Sequence, residues 1–491
     1  MRVNIIGAGI GGMATAALLA SKDHQVYVYE KNAQAGGKMN QQVLGDFRFD
    51  TGPSLLTMPF VLEKLFSDCG KYLNDYVTME PVEPICRYFW QDGTEFNCWQ
   101  DVKKTLDEIR LIAPSDIHAY KPFLSYAEKI YERTSNAFLF NPLNSWRDFL
   151  GLPLTDMARI DALTTVSKRI DSKFSSPYLR QFFKRFTTYN GSSPYQAPAT
   201  LNVIPHVELN QGGYYVKGGL YELANALRKL AEDSGATFVF GEEVESIVVE
   251  NKRTTGLQMK NGEVYPSDIV VSNSDATESY LKLLSDNDIS PSKKKKVAKT
   301  EPSCSGFVLL LGISKTYEKL VHHNIFFSND YENEFHDIFE KRVMPYDPTI
   351  YVANTSYSDK EHAPKGGSNL FVLVNAPYQS DNWNWAEKTE TYSNHVISLL
   401  EKRGLADLSS HIVEQDVITP DDFYEKYRSN KGSIYGTSSN DRFSAFARPR
   451  NKSKEIDGLY LTGGSTHPGG GIPLCVLSAQ HATTLIMRDF R

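Results

Sequence analysis

The run Gly7-Ala8-Gly9-Ile10-Gly11-Gly12 has the spacing of a backbone cradle for a diphosphate. Gly7 permits a tight turn, Gly9 lets the backbone approach a pyrophosphate, and Gly12 lets a helix pack closely on a strand. The apolar run Val3-Asn4-Ile5-Ile6 before it and the Ala/Leu-rich stretch Met13 to Ser21 after it predict strand, turn and helix in the required order. A helix starting there aims its free N–H groups and positive dipole end at the phosphates. Val26-Tyr27-Val28-Tyr29 predicts the next strand, and Glu30 stands at its end. There it is placed to accept hydrogen bonds from ribose hydroxyls, and it would repel a 2′-phosphate, which disfavours NADP.

FAD rather than NAD is expected from two further glycine-rich regions. Gly36-Gly37-Lys38 and then Phe49-Asp50-Thr51-Gly52-Pro53-Ser54 form a second glycine pair with a cation beside it, suited to the far side of an extended dinucleotide. Near the other end, Gly463-Gly464-Ser465-Thr466-His467-Pro468-Gly469-Gly470-Gly471-Ile472-Pro473 precedes a helix. Its glycines let backbone lie against a planar ring, and the helix N-terminus stabilises negative charge on a reduced flavin. His467, in that loop, is the nearest candidate for a base, against the alternative of a loop-fixing hydrogen-bond partner. Lys38, Arg147 and Asp148 are further candidates. His322-His323 is read as structural, because adjacent residues of a strand point to opposite faces and would not share a metal. No Ser/His/Asp triad or paired-carboxylate signature stands out, so positioning and exclusion of water carry much of the expected catalysis.

The elements that hold these residues recur along the chain. Leu220 to Asp233 has Leu223, Leu227 and Leu230 at helical spacing. Thr237 to Phe240, Val244 to Glu250, the Asn261-Gly262 turn and Asp268 to Ser272 come next as a β pattern with hairpin punctuation. Gly458 to Thr462 predicts a last strand, and a terminal helix starts near Leu474. Residues 105–194 read as mostly helical with scattered aromatics, and 300–380 as strands such as Phe307 to Leu311 and Thr349 to Ala353. The expected fold is α/β: a Rossmann-type FAD-binding domain from 1–75, 215–285 and 440–491, a mixed-sheet substrate domain from 76–105, 195–214 and 286–439, and a helical cap over 106–194.

Composition narrows the partners. The 491 residues carry a formal charge of -6, so the basic footprint of a nucleic-acid binder is missing. The one basic run, Lys293 to Lys296, reads as a solvated loop, with anionic lipid headgroups as the alternative. Cys69, Cys86, Cys98, Cys304 and Cys475 show neither a disulfide framework nor zinc spacing, so no metal is expected. No stretch reaches the roughly 18 apolar residues that span a bilayer, and Val3 to Ile6 leaves no room for a signal peptide. A cytoplasmic location is expected, with peripheral attachment to the inner face of the cell membrane.

The motifs above, with Glu30-Lys31, Tyr214-Tyr215-Val216-Lys217-Gly218-Gly219, His322-His323-Asn324-Ile325-Phe326-Phe327, Asp347-Pro348-Thr349-Ile350-Tyr351 and Tyr427 to Gly436, resemble the bacterial and fungal phytoene desaturase family of carotenoid-modifying flavoproteins. The resemblance covers essentially the whole chain, and the Thr466 to Pro473 ending is its most specific part. It implies FAD contacts at Gly7, Gly9, Gly12, Glu30, Lys31, Gly37, Lys38, Gly52, Pro53, Ser54, Val244, Gly464, Gly471, Ile472 and Pro473. It also implies a carotenoid substrate taken from a membrane surface, with oxygen or a quinone reoxidising the flavin.

Within the family, the first expectation is a hydroxycarotenoid 3,4-desaturase. The alternatives are a phytoene or diapophytoene desaturase and a terminal-methyl oxygenase of apocarotenoids, which Ser176-Pro177-Tyr178-Leu179-Arg180-Gln181 also resembles. A polyene-binding flavoprotein without turnover would share the binding motifs, whereas an amine oxidase is disfavoured by the Thr466 to Pro473 loop. The aromatics Phe138, Phe140, Trp146 and Phe149 around Asn141-Pro142-Leu143-Asn144 are the expected membrane contact, against a reading in which they pack the helical block.

Overall fold

The computed structural model describes residues 1–143, 160–441 and 448–490. Arg2–Ile6, the first apolar run, is the middle strand of a five-stranded sheet ordered Leu459–Leu461, Ile269–Ser272, Arg2–Ile6, Gln25–Glu30 and Thr237–Phe240. Every pairing in it is parallel. Such a sheet needs cover on both faces, which is why Val3, Ile5, Ile269 and Val271 are all fully buried. Helix Ile10–Ala20, buried from Gly11 onward, packs against helices Tyr221–Asp233 and Ile472–Asp489. Leu223, Leu227 and Leu230 form the buried stripe of Tyr221–Asp233, each contributing about 1.5–3 kcal/mol by leaving water.

The β pattern after Thr237 divides between sheets. Thr237–Phe240 and Ile269–Ser272 join the parallel sheet, whereas Val244–Glu250, Arg253–Met259 and Val264–Pro266 form an antiparallel sheet of their own. Gly262 takes φ +87° at the Asn261-Gly262 turn between the last two.

A seven-stranded mixed sheet is ordered Ile412–Ile418, Ser305–Ile313, Ser368–Ala376, Ile350–Asn354, His323–Phe326, Cys86–Phe89 and Glu95–Cys98. Its one parallel pair is His323–Phe326 with Cys86–Phe89. All nine residues of Ser305–Ile313 are buried, as its near-continuous apolar run requires.

Helices Val102–Ile112, Ile117–Thr134, Val166–Asp171 and Pro177–Lys184 lie over one end of this sheet. Tyr120, Phe123, Phe174, Phe182, Phe183 and Phe186 pack there against Tyr88 and Phe96 of the sheet. The aromatics Tyr120 and Phe123 of the helical block are therefore core residues. Phe140 is half-buried against Phe60, ring centroids 6.4 Å apart. Asn144, Trp146, Arg147, Asp148 and Phe149 lie outside the described residues. Lys293 to Lys296 belong to a helix, Pro291–Ala298, rather than a loop. Lys293 lies over the Tyr280 ring and Lys294 pairs with Asp286. Among the described residues no helix is long and apolar enough to cross a membrane.

Candidate functional site

Parallel strands carry ligands at their carboxyl ends, where the helices begin. At the ends of Arg2–Ile6, Gln25–Glu30 and Ile269–Ser272 lies a cavity of about 690 Å³, whose far wall belongs to the seven-stranded sheet. Gly7, with φ +90°, turns the chain so that its N–H donates to the Tyr29 carbonyl at 2.8 Å. The buried Glu30 carboxylate accepts from the Ala8 N–H at 2.8 Å and the Asn32 N–H at 2.9 Å, tying the turn to the strand end. Gly36 donates to the Ala8 carbonyl at 2.8 Å, and a Cβ on Gly37 would stand 3.3 Å from Gly9 Cα. The two glycine turns thus lie backbone against backbone, with no side chain between them.

Helix Ile10–Ala20 starts after Gly9, and helix Ile472–Asp489 after Gly471. Neither has a side-chain cap, and both starts line the cavity. Two uncapped helix ends leave N–H groups and two positive dipole ends for an anion or an electron-rich ring. The chain's own backbone therefore fits FAD.

Lys38 lines the wall between these ends. Its ammonium group is enclosed by protein and donates to the carbonyls of Ser433 at 2.8 Å and Ile434 at 2.9 Å. Burial pushes its pKa down to about 8, with the charges of Asp275 and Cys475 acting the other way. The mouth near Glu30 is densely charged, lined by Lys31, Glu243, Lys260, Glu278 and Arg428. Val244 lines the same stretch. Segment 420–436 closes over this end: Arg428 reaches Glu243 at 3.5 Å, and Lys31 donates to the Glu425 carbonyl at 2.6 Å. Apolar side chains make up another part of the wall: Val308, Phe371, Leu373, Phe423, Ile434 and Ile472.

Of the residues singled out in the sequence, Gly7, Gly9, Glu30, Lys31, Gly37, Lys38, Gly52, Pro53, Val244, Gly464, Gly471 and Ile472 line this one cavity. Gly12, Ser54 and Pro473 are not on its lining. A Cβ on Gly12 would stand 2.1 Å from the Gly7 carbonyl oxygen, so this glycine serves the close approach of helix and turn. Pro473 sits in the first turn of the C-terminal helix, where a missing N–H costs nothing. The Ser54 hydroxyl is hydrogen-bonded to the Tyr351 hydroxyl.

His467 also lies off the lining. It is buried, its Nε2 meets the Asn141 carbonyl at 3.2 Å, and its ring stacks on His481 at 5.4 Å. His481 meets the Leu139 carbonyl at 2.9 Å in the same way. Burial, helped by His481, pushes the His467 pKa down to about 3. A neutral ring fastening segment 139–141 has the geometry of a loop anchor. The His322 and His323 rings do not diverge as strand alternation predicts. His322 precedes the strand His323–Phe326, and the ring centroids are 4.4 Å apart.

Sequence reasoning passed over Asn273, Ser274 and Asp275, which line the cavity at the end of Ile269–Ser272. Asn273 Nδ2 donates to the Gly7 carbonyl at 3.3 Å. Their place just after a buried β-branched run was the available signal. Phe371 and Leu373 carried none, because nothing in Ser368–Ala376 says which face looks on a cavity.

The comparisons with known proteins agree with this geometry. Residues 10–487 match the family described as flavin containing amine oxidoreductase. A 4,4'-diaponeurosporene oxygenase of Staphylococcus aureus (strain MSSA476) is 36% identical over 485 residues, covering 98% of this chain and 97% of the relative. Two solved structures are similar in fold. An oxidoreductase from Methanosarcina mazei has TM-score 0.65 and 16% identity, covering 99% of this chain and 100% of the other. A cofactor-redesigned putrescine oxidase has TM-score 0.66 and 11% identity, covering 100% and 99%. An uncapped double helix end over a glycine cradle, together with a match along nearly the whole chain, places this protein in the flavin-containing amine oxidoreductase family as an FAD-dependent oxidoreductase.

Proposed function

We propose that the chain oxidises the terminal methyl group of a linear carotenoid resembling 4,4'-diaponeurosporene. The observation that carries this reading is the 36% identity to 4,4'-diaponeurosporene oxygenase across 98% of the chain. It favours the terminal-methyl oxygenase over the 3,4-desaturase expected first. The apolar wall of Val308, Phe371, Leu373 and Ile434 supports a hydrocarbon substrate, since these side chains offer it no polar competitor.

FAD would supply the acceptor for a hydride from the terminal methyl group; conjugation along the polyene spreads the positive charge left behind, and one water molecule forms the new C–O bond and gives up a proton. Gly7, Gly9, Gly37 and Gly52 admit the diphosphate to the backbone, Glu30 holds the ribose turn, and Lys38 sets a positive charge against the anionic cofactor. Lys31 and Val244 would flank the adenosine end of the cofactor, and Gly464, Gly471 and Ile472 would meet its ring. The apolar wall positions the chain end and limits the entry of bulk water. In this reading residues 1–75, 215–285 and 440–491 form the cofactor domain, with 76–105, 195–214 and 286–439 holding substrate under a cap over 106–194.

A polyene is collected from lipid, so the protein acts at the cytoplasmic membrane face with the Phe138 and Phe140 region as its contact. Oxygen or a quinone takes the electrons. The test is expression in a host that makes 4,4'-diaponeurosporene, with product masses and absorption spectra read. Oxygen gained at a chain end supports the reading, and loss of two hydrogens without oxygen returns the desaturase.

A further inference from the structure

Ser54 directly follows Pro53, a lining residue, and its hydroxyl is hydrogen-bonded to that of Tyr351. Tyr351 stands on strand Ile350–Asn354 in the middle of the seven-stranded sheet, opposite Leu373 and 6.5 Å between ring centroids from Phe371. Both neighbours line the cavity. Tyr351 is half-buried on this inner strand, directly behind Phe371 and Leu373 of the cavity wall though not itself on the lining.

From Tyr351 a polar line runs away from the cavity. The hydroxyl meets His323 Nδ1 at 2.7 Å, and the His323 ring lies 4.4 Å from the His322 ring. His322 Nδ1 meets the Ser358 hydroxyl at 2.7 Å, and Ser358 is exposed to solvent. Between these ends both histidines are buried, at 0% and 2% exposure. The Nε2 atoms of both are buried without a hydrogen-bond partner among the described residues. Two adjacent orphaned imidazole nitrogens cost of order 1–3 kcal/mol each.

We propose that Tyr351, His323, His322 and Ser358 form a proton exit from the substrate chamber to solvent. The proposal rests on the reading above and extends it to a further oxidation, of the resulting terminal alcohol to the aldehyde. The carbinol C–H bond breaks with its electron pair leaving as hydride to FAD, the O–H bond breaks, and the C=O bond forms. The alcohol is oxidised and FAD reduced. The freed proton passes to the Ser54–Tyr351 pair as Tyr351 gives its own to His323 Nδ1. His323 releases its Nε2 proton to His322 Nε2 across rings whose centroids stand 4.4 Å apart, and His322 gives its Nδ1 proton to Ser358 and water.

The surroundings keep the relay neutral. Burial pushes His322 down to about 3, helped by His362, and holds His323 well below the ordinary range, helped by His322 and Arg185. The Tyr215 ring, 4.8 Å from His322, completes the enclosure. A neutral imidazole has one donor and one acceptor, so it hands a proton on without storing charge. Tyr351, His323, His322 and Ser358 are positioning residues for that transfer.

The test uses FAD-loaded protein and the variants Tyr351→Phe and Ser358→Ala. ¹⁵N-histidine spectra of the wild type are expected to show His323 neutral with Nδ1 accepting, a pattern lost in Tyr351→Phe. Anaerobic flavin bleaching by the carotenoid alcohol is expected to slow at least tenfold in Tyr351→Phe and severalfold in Ser358→Ala. The solvent deuterium effect seen in the wild type is expected to shrink in Tyr351→Phe. Unchanged bleaching in both variants at full FAD content overturns the exit. If no carotenoid bleaches even the wild type, the functional reading fails instead. The exit is then judged by reoxidation of dithionite-reduced protein with ferricenium, which removes electrons but no protons. A slower, isotope-insensitive reoxidation in the variants keeps it, and identical rates overturn it.

Discussion

FAD binding is expected to weaken as pH rises past 8, with Lys38 as the cause. Burial lowers the Lys38 pKa from 10.5 to about 8. That difference corresponds to about 3 kcal/mol, discounted to about 2 kcal/mol because the residue keeps some accessible surface. The sign follows from which form burial disfavours. The ammonium form is penalised in the folded apoprotein, so the penalty is present below pH 8 and is relieved as pH rises from 8 towards 10.5.

An anionic cofactor in the same cavity favours the ammonium and raises the pKa again, so binding takes up a proton wherever apoprotein Lys38 is neutral. Apparent affinity therefore falls by up to about tenfold between pH 7 and pH 9, or about 1.4 kcal/mol. Titrating apoprotein with FAD by flavin fluorescence at several pH values reads this slope directly. Lys38→Met is expected to bind more weakly at pH 7 and to lose the slope. An affinity that is flat between pH 7 and pH 9 in the wild type, or a tenfold fall that persists in Lys38→Met, refutes the reasoning.

Gly12→Ala puts a Cβ 2.1 Å from the Gly7 carbonyl oxygen and is expected to destabilise the apoprotein by about 1–3 kcal/mol, read as a lower melting temperature. Gly9→Ala meets only the movable Asn273 amide, at 2.9 Å, so it should spare apoprotein stability and weaken FAD binding; equal melting losses in both variants would contradict this. Glu334 is buried, accepts from Ser328 and Thr349 hydroxyls at 2.7 Å each, and is pushed up to about 7 by desolvation. Its contribution to stability is present below pH 4.5 and lost as pH rises through 7, so Glu334→Gln should flatten the melting curve over that window by about 3 kcal/mol at most. His467→Asn should leave the pH dependence of flavin reduction unchanged, since the ring is neutral throughout, and a lost ionisation in that profile would restore it as a base.

The nucleotide half of the molecule was legible because its physics is local. Gly7 to Gly12, Glu30 and Gly36-Gly37 act through backbone geometry that neighbouring residues fully specify. Even the distant Gly463 to Pro473 loop announced itself, since few other uses exist for such a glycine density before a helix. The apolar wall was not legible. Val308, Phe371 and Leu373 face the cavity because Ser305–Ile313 and Ser368–Ala376 pair across the sheet, and buried β-branched and apolar runs look alike on either face. The pairing of Ser54 with Tyr351 joins residues 297 positions apart, beyond the reach of any local pattern. The two histidine rings depart from the expected alternation for a smaller reason: the strand starts at His323, so period-two alternation does not reach His322.

The order of the parallel sheet also bears on how the chain is made. Its edge strand Leu459–Leu461 pairs with Ile269–Ser272, which pairs with Arg2–Ile6. The helix end at Gly471 arrives later still. During synthesis the first glycine turn therefore waits, through several hundred residues, with one side of its sheet uncovered. Contacts this far apart in sequence close slowly and leave unpaired strand edges exposed meanwhile. A nascent chain of this architecture is a natural client for chaperones. A copy cut short before Leu459 would leave Ile269–Ser272 as a bare edge, a substrate for proteases rather than a dimmer version of the enzyme.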